Sequence, residues 1–320
     1  MCSYCNQHSI SGVQAAPTAD EVKTVCAEAF EYIGEKSNTE IAFFGGSFTA
    51  IERTYMLELL ECVQEFIGED KFAGIRISTR PDCINEEILD ILKRYNVRAI
   101  ELGAQSMDDT VLAANRRGHT AADVEKAGKL IKEYGFELGL QMMVGLYKST
   151  EELEYETMRR IAALKPDTVR IYPVAVLEGT HLAELYKSGE YVLYPMERAI
   201  AICADMLCFF AKKEIRVIRC GLHASEMVSD NAVAGFYHPA FKELAEAELV
   251  RRTIDAHIDA EGDYVIEVAR GMMSKAIGQK KSNTEYFSGK GIRIKFKENA
   301  ELESNCICIA EEVYNVFKNT

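Results

Sequence analysis

Strand-like and helix-like segments alternate through roughly the first 220 residues of this 320-residue chain, and that rhythm restricts its fold more than any other feature. Ile41–Phe44 is a short apolar run halted by Gly45-Gly46, and Ile75–Thr79 stops at Arg80-Pro81. Arg98–Leu102, Leu138–Val144, Thr168–Tyr172 and Ile215–Arg219 read as further strands. Helical signals lie between them. Thr18-Ala-Asp-Glu21 forms a capping box ahead of Val22, Val25, Cys26, Ala29, Phe30 and Ile33 at helical spacing. Leu59, Leu60, Val63, Phe66 and Ile67 mark the next helix. Asn85 and Thr120 are N-caps, and Gly135 ends the helix that Thr120 begins. Ser149-Thr-Glu-Glu152 opens a helix closed by Pro166, and Pro195–Lys213 is another. A strand-helix unit about every 30 residues implies parallel strands joined by helical crossovers. An α/β fold follows: a full or partial (β/α) barrel over residues 1–221, with a doubly wound open sheet as the alternative. Residues 222–320 read as a small α+β domain. It comprises a helix at Pro239–Arg252, strands at Tyr264–Ala269 and Ile292–Phe296, and a last helix near Ile309–Phe317.

Apolar residues make up 48% of the chain, enough for a large core, yet no apolar run is long enough to cross a bilayer. No basic segment followed by an apolar stretch opens the chain, so a cytoplasmic protein with no membrane partner is expected. Ten cysteines without a regular framework fit a reducing compartment. The formal charge of −13 argues against binding nucleic acid over the whole surface. One local basic run, Lys275, Lys280, Lys281, Lys290, Arg293, Lys295 and Lys297, is either a solvated face or an RNA contact.

Polar residues and glycines collect just after successive strands: Gly45-Gly46-Ser47, Thr79-Arg80 with Asp82, Gln105-Ser106 beyond Glu101, Gly145 and Pro173. In parallel β/α architectures the carboxyl ends of the strands form the catalytic face. Each cluster alone is ordinary turn chemistry; several in register favour a shared site. Gly45-Gly46 exposes backbone to an amino acid or a phosphate, or simply makes a tight turn. Arg80 either grips a carboxylate or pairs with Asp82. Gln105 and Ser106 bind a ribose or carboxylate, or cap a helix. Cys2 and Cys5 stand C-x-x-C with Tyr4 between them, a spacing at which two thiolates converge on a soft metal or an iron–sulfur cluster.

Taken together, these residues resemble the radical S-adenosylmethionine (SAM) enzymes. Within them they resemble the Elongator catalytic-subunit-like branch and its bacterial relatives, over roughly residues 2–220. The family's C-x-x-x-C-x-x-C loop follows the first barrel strand and holds a [4Fe–4S] cluster whose open iron chelates SAM. Cys2 and Cys5 match its second and third cysteines, and Tyr4 its aromatic residue. The first cysteine would lie four residues before Cys2. The resemblance therefore implies an N-terminally truncated chain and a partial (β/α)6 TIM-like barrel lacking its first strand. It further implies that Gly45, Gly46 and Ser47 bind the SAM ammonium and that Thr79 and Arg80 line the ribose and methionine side. Gln105 and Arg117 would meet SAM polar groups, and Met142 and Gly145 would lie against the adenine. The implied activity is reductive cleavage of SAM to start radical chemistry, with electrons from an external donor of flavodoxin or ferredoxin type. RNA is the substrate class suggested by the branch, although no acetyltransferase-type domain follows. Three other readings remain open at this stage. One is a zinc or redox protein using Cys306 and Cys308 beside Cys2 and Cys5. The second is a non-catalytic RNA- or protein-binding barrel. The third is a metal-independent barrel enzyme such as an aldolase.

Overall fold

A computed structural model describes residues 2–5, 16–222 and 226–318 of the chain. Its elements run α1 (Ala19–Tyr32), β1 (Glu40–Phe43), α2 (Arg53–Cys62), β2 (Gly74–Thr79), α3 (Glu86–Arg94), β3 (Val97–Gln105), α4 (Asp109–Ala114), α5 (Ala121–Glu133), β4 (Glu137–Val144), α6 (Glu151–Ala163) and β5 (Thr168–Pro173). Then come β6 (Ala175–Leu177), α7 (His181–Lys187), α8 (Met196–Lys212), β7 (Arg216–Cys220), α9 (Glu226–Asn231) and β8 (Ala232–Gly235). The C-terminal part holds α10 (Phe241–Asp255), β9 (Gly262–Ala269), α11 (Met273–Ile277), α12 (Ser282–Gly289), β10 (Ile292–Asn299), β11 (Cys306–Ile309) and β12 (Glu312–Asn315). The expected caps form: Thr18 and Thr120 close capping boxes, and the Asn85 side chain accepts from Ile88 N.

Six strands lie side by side in the order β1-β2-β3-β4-β5-β7, every pair parallel. One face is apolar and covered by helices: Ile75, Ile77, Ile100, Leu102, Leu138, Leu140, Val169 and Ile171 are almost wholly buried. Each such side chain contributes about 1.5–3 kcal/mol on leaving water. The opposite face is polar. Arg170 on β5 reaches past β4 to bind Glu101 on β3 through two bonds, at 2.6 and 3.0 Å. Gln141 on β4 donates to Glu101 (2.9 Å) and to Ser78 on β2 (3.2 Å). Arg76 on β2 binds Glu40 (2.6 Å) and Glu137 on β4 (2.8 Å).

These bonds require curvature. Phe44, just past β1, lies 5.1 Å from the Arg170 guanidinium, although β2, β3 and β4 stand between their strands. In a flat sheet those strands would be about 19 Å apart, beyond what one Arg and one Phe span. The sheet is therefore a curled, partial TIM-like barrel with its polar face concave.

The C-terminal part adds a four-stranded sheet, order β10-β9-β11-β12, and α10 packs on α8. One apolar core runs continuously through both parts. The helix expected near Ile309–Phe317 is instead a hairpin: β11 and β12 pair antiparallel across Ala310 (φ 50°) and Glu311 (φ 71°). Two successive left-handed residues make the tight turn that matches strand twist. Ala-Glu lacks the Asn-Gly signature of that turn, so the pattern reads as helical. The helix expected to run through Ile67 also breaks, with α2 ending at Cys62 and a separate 3₁₀ turn at Gln64–Phe66.

Glu101 is 1% exposed, so removing its partner strands a buried charge. Arg170→Met should cost about 3–5 kcal/mol in urea unfolding, and the pair Glu101→Leu with Arg170→Met should recover most of it. Equal losses in the single and double variants would contradict this role.

Candidate active site

The Cys2–Cys5 turn is anchored from three directions. Ser3 N donates to Asn115 O (3.1 Å), and Ser3 Oγ donates to Asn115 Oδ1 (2.9 Å). Leu182 N, in the first turn of α7, donates to Ser3 O (2.8 Å). Cys5 N closes the turn onto Cys2 O (3.2 Å). Asn115 is fully buried, and its Nδ2 donates to Val111 O and Tyr147 O, both at 2.9 Å. Arg117 Nη1 donates to Cys2 Sγ at 3.0 Å, while Nη2 donates to Gly103 O at 2.8 Å. The Tyr4 hydroxyl is buried with no hydrogen-bond partner; burial pushes its pKa well up, against the pull of the Arg117 charge. None of the ten cysteines is in a disulfide.

The carboxyl end of the sheet faces this turn. Gly45 and Gly46 are exposed, Gly45 has φ 112°, and no atom lies within 4 Å of where a Cβ would sit on either. Ser47 follows, half-buried. Thr79 lies on the covered face, where its Oγ1 meets Thr49 Oγ1 at 2.6 Å; Thr49 in turn donates to Cys83 O at 2.8 Å. Thr79 thus ties the glycine loop to the end of β2. Arg80 pairs with Asp82 (Nε to Oδ1, 2.9 Å) and holds its carboxyl below the usual range.

Gln105 ends β3 in the left-handed region, φ 67°, with its side chain buried and Oε1 unpartnered. Such backbone costs on the order of 1 kcal/mol or more in a residue other than glycine, and observed outliers of this kind cluster at functional sites. A Cβ on Gly103 would come within 2.8 Å of Gln105 Nε2 and 3.2 Å of Arg117 Nη2, so a larger residue there would push these two side-chain ends aside. His119 Nε2 lies 3.3 Å from Ala104 O, Nδ1 is buried without a partner, and burial depresses the pKa of the ring. Ser106 is engaged structurally, its Oγ accepting from Asp108 N at 3.1 Å.

Like Thr79, Met142 is turned away from the concave face, and Gly145 is engaged within the protein. Strand alternation places Met142 on the covered face with Leu138 and Leu140, fully buried; Met143 faces the concave side. At Gly145 (φ 87°), N donates to Glu154 Oε1 (2.6 Å), O accepts from the Tyr191 hydroxyl, and Phe236 covers the Cα. The concave network of Arg76, Glu101, Gln141 and Arg170 was not singled out as site chemistry in the sequence. Its signal was a polar residue on one face of strands that should have been apolar throughout, as with Arg76 and Ser78 in β2. Cys306 and Cys308 lie on β11, and among the described residues no three His, Cys, Asp or Glu side chains gather to hold a metal ion. In the basic run, Lys275, Lys290, Arg293 and Lys297 pair with Glu246, Asp255, Asp263 and Glu267.

Burial pushes the Glu154 carboxyl up to about 7. The folded protein therefore keeps a proton that the unfolded chain sheds near pH 4.5, and stability falls as pH rises through that window. The loss approaches about 3 kcal/mol by pH 8. Glu154→Gln should gain on the parent by that amount between pH 5 and 8 in chemical unfolding. Parallel pH profiles would contradict the assignment.

The family model described as "Radical SAM superfamily" matches residues 1–161, and one described as "Radical_SAM C-terminal domain" matches residues 166–251. The chain is 32% identical over 197 residues to the tRNA uridine(34) acetyltransferase of Methanocaldococcus jannaschii, covering 55% of this chain and 36% of that protein. It is 28% identical over 188 residues to Elongator complex protein 3 of Saccharomyces cerevisiae, covering 52% and 34%. The chain thus spans about a third of the length of these relatives. The solved structure of Methanocaldococcus infernus Elp3 with an N-terminal deletion shares the fold, with a TM-score of 0.64, 24% identity, and coverage of 74% of this chain and 59% of that one. With half its length matched by the family model, the chain belongs to the radical SAM superfamily.

Proposed function

We propose that this protein binds SAM and a [4Fe–4S] cluster at the carboxyl end of its curled sheet and cleaves SAM reductively to start radical chemistry. One observation carries the reading: Arg117 touches the Cys2 sulfur with one nitrogen and the Gly103 carbonyl with another, beside the unpartnered Oε1 of Gln105. That arrangement links the thiol turn to the strand end. The donor set fits the cluster in chemistry, since Cys2 and Cys5 offer two soft thiolates in a cationic surrounding. The family pattern uses three.

When bound, the cluster and SAM would supply one-electron cleavage of the sulfonium, with electrons from a flavodoxin- or ferredoxin-type donor. Cys2 and Cys5 would hold iron. The open backbone at Gly45, Gly46 and Ser47 would receive the SAM ammonium, and Gln105 Oε1 would accept from a SAM N–H or O–H group. Thr79 keeps the glycine loop in place through Thr49. Arg80, its charge occupied by Asp82, would border the site. Met142 and Gly145 would act from behind, one packing the strand and the other fixing the loop after it. Tyr4 and the apolar layer exclude water. The relatives named for tRNA uridine(34) acetylation support tRNA as the substrate class, whereas the paired cations of the C-terminal sheet weigh against a broad RNA surface there.

Anaerobic reconstitution tests this reading, on the chain and on a version carrying a cysteine four residues ahead of Cys2. The extended form should take up about four iron and four sulfide per chain and release 5′-deoxyadenosine from SAM under reductant. Gln105→Ala should weaken SAM binding about tenfold, the effect of losing one bond to a buried group. A folded extended protein with neither cluster nor SAM cleavage would overturn the proposal.

A further inference from the structure

The basic run of the C-terminal part holds two kinds of cation. Lys275, Lys290, Arg293 and Lys297 each meet a carboxylate. Lys280 and Lys281 are exposed, and among the described residues neither forms an ion pair. We propose that these two lysines grip phosphates of an RNA substrate beside the carboxyl end of the curled sheet. RNA as the substrate class rests on the proposed function; the turn that presents the two cations does not.

The backbone that carries them is strained. Among the described residues, two neighbouring residues other than glycine are left-handed at two places. One is Ala310-Glu311, which turns the hairpin of β11 and β12. The other is Lys280 (φ 52°) with Lys281 (φ 66°), in the turn that joins α11 to α12. Glycine or asparagine adopts this conformation more readily, so two lysines stand there against the backbone's preference. Outliers of this kind point toward function. The surroundings hold the turn. A Cβ on Gly278 (φ 76°) would lie 2.4 Å from Ser282 Oγ and 2.8 Å from Asn283 N. Asn283 is 3% exposed, and its Nδ2 lies 2.9 Å from Ala247 O and 3.2 Å from both Lys275 O and Ala276 O. The base of the turn is thus fastened to α10 and α11, and the two lysines remain outside.

The same turn is tied to the barrel. The Gln279 side-chain amide meets His238 Nε2 at 2.9 Å, and Ala240 N donates to His238 Nδ1 at 3.1 Å. Two residues before His238, Phe236 N donates to Val174 O at 2.7 Å, and the Phe236 ring covers the Cα of Gly145. Val174 directly follows β5 and Gly145 directly follows β4. The short segment Phe236–His238 therefore links the lysines to the end of the sheet where the glycine loop and Gln105 lie. Unpaired cations at that place attract a polyanion locally, although the chain as a whole carries a formal charge of −13. Glu285 on α12 and Glu243, which lines a cleft with Gln279, pair with neither lysine. A two-cation contact also agrees with the pairing of the other basic side chains, which leaves no broad RNA surface.

The test is binding of an unmodified tRNA transcript to the full chain, followed by fluorescence anisotropy from about 50 to about 200 mM KCl. Lys280→Ala combined with Lys281→Ala should weaken binding about tenfold near the middle of that range, and should lower the slope of log K against log salt by about 1.5–2. Gly278→Ala keeps both charges but displaces the turn, and should also weaken binding. Lys295→Ala removes an exposed cation of β10, outside the turn, and should leave the slope unchanged. A parent that does not bind the transcript, or a double variant with the parent's slope, overturns the proposal. An equal loss in Lys295→Ala overturns it too, because the contact would then be diffuse. Equal affinity for polyglutamate of matched charge would assign the turn to an acidic protein and overturn the RNA contact. None of these measurements uses a cluster. Release of 5′-deoxyadenosine tests the proposed function separately, so either can fail alone.

Discussion

The Glu101 carboxylate sits at the centre of the concave face and holds the sheet's curvature in place. It takes two bonds from Arg170 on β5 and one from Gln141 on β4, with Arg76 of β2 3.7 Å away. Burying this charge is tolerable only because it is so fully paired, and the pairing exists only when β2 and β5 bend toward one another. Phe44 completes the arc by lying over the Arg170 guanidinium. The adjacency of β1, β2 and β3 puts Gly45, Arg80 and Gln105 at one end of the sheet.

The cysteine turn docks on that end through the segment Asn115–Arg117 rather than through the strands themselves. This separates two duties. The strand ends provide backbone and a strained, buried Gln105 with an unsatisfied oxygen, features suited to a polar small molecule. The 115–117 segment holds Ser3 and the Cys2 sulfur. Behind both, Asn115 bonds Tyr147 O and Glu154 bonds Gly145 N, so the loop after β4 supports the turn from below.

Much of this was legible in the chain itself. Every barrel strand was found, because a buried parallel strand leaves an apolar run bounded by turn residues. Two of the helix caps, Thr18 and Thr120, formed as capping boxes. Gly45, Gly46 and Gln105 were marked by their places after successive strands, and Arg117 by the family resemblance. What the sequence hid was which way side chains point. Met142 and Met143 are adjacent, and only the strand's register decides that Met143 faces the concave side. Arg117 was visible as a cation, but its contact with the Cys2 sulfur joins residues 115 positions apart. The final hairpin was missed because Ala310-Glu311 adopts a turn that neither residue favours.

The account's central claim is that SAM meets the iron–sulfur centre held by Cys2 and Cys5 at the strand ends. Electron paramagnetic resonance of the dithionite-reduced protein carrying a cysteine four residues ahead of Cys2, recorded before and after SAM is added, tests it directly. The account predicts that SAM shifts the cluster signal and that Gln105→Ala needs more SAM for the same shift. A well-formed [4Fe–4S] signal that saturating SAM leaves untouched would contradict it.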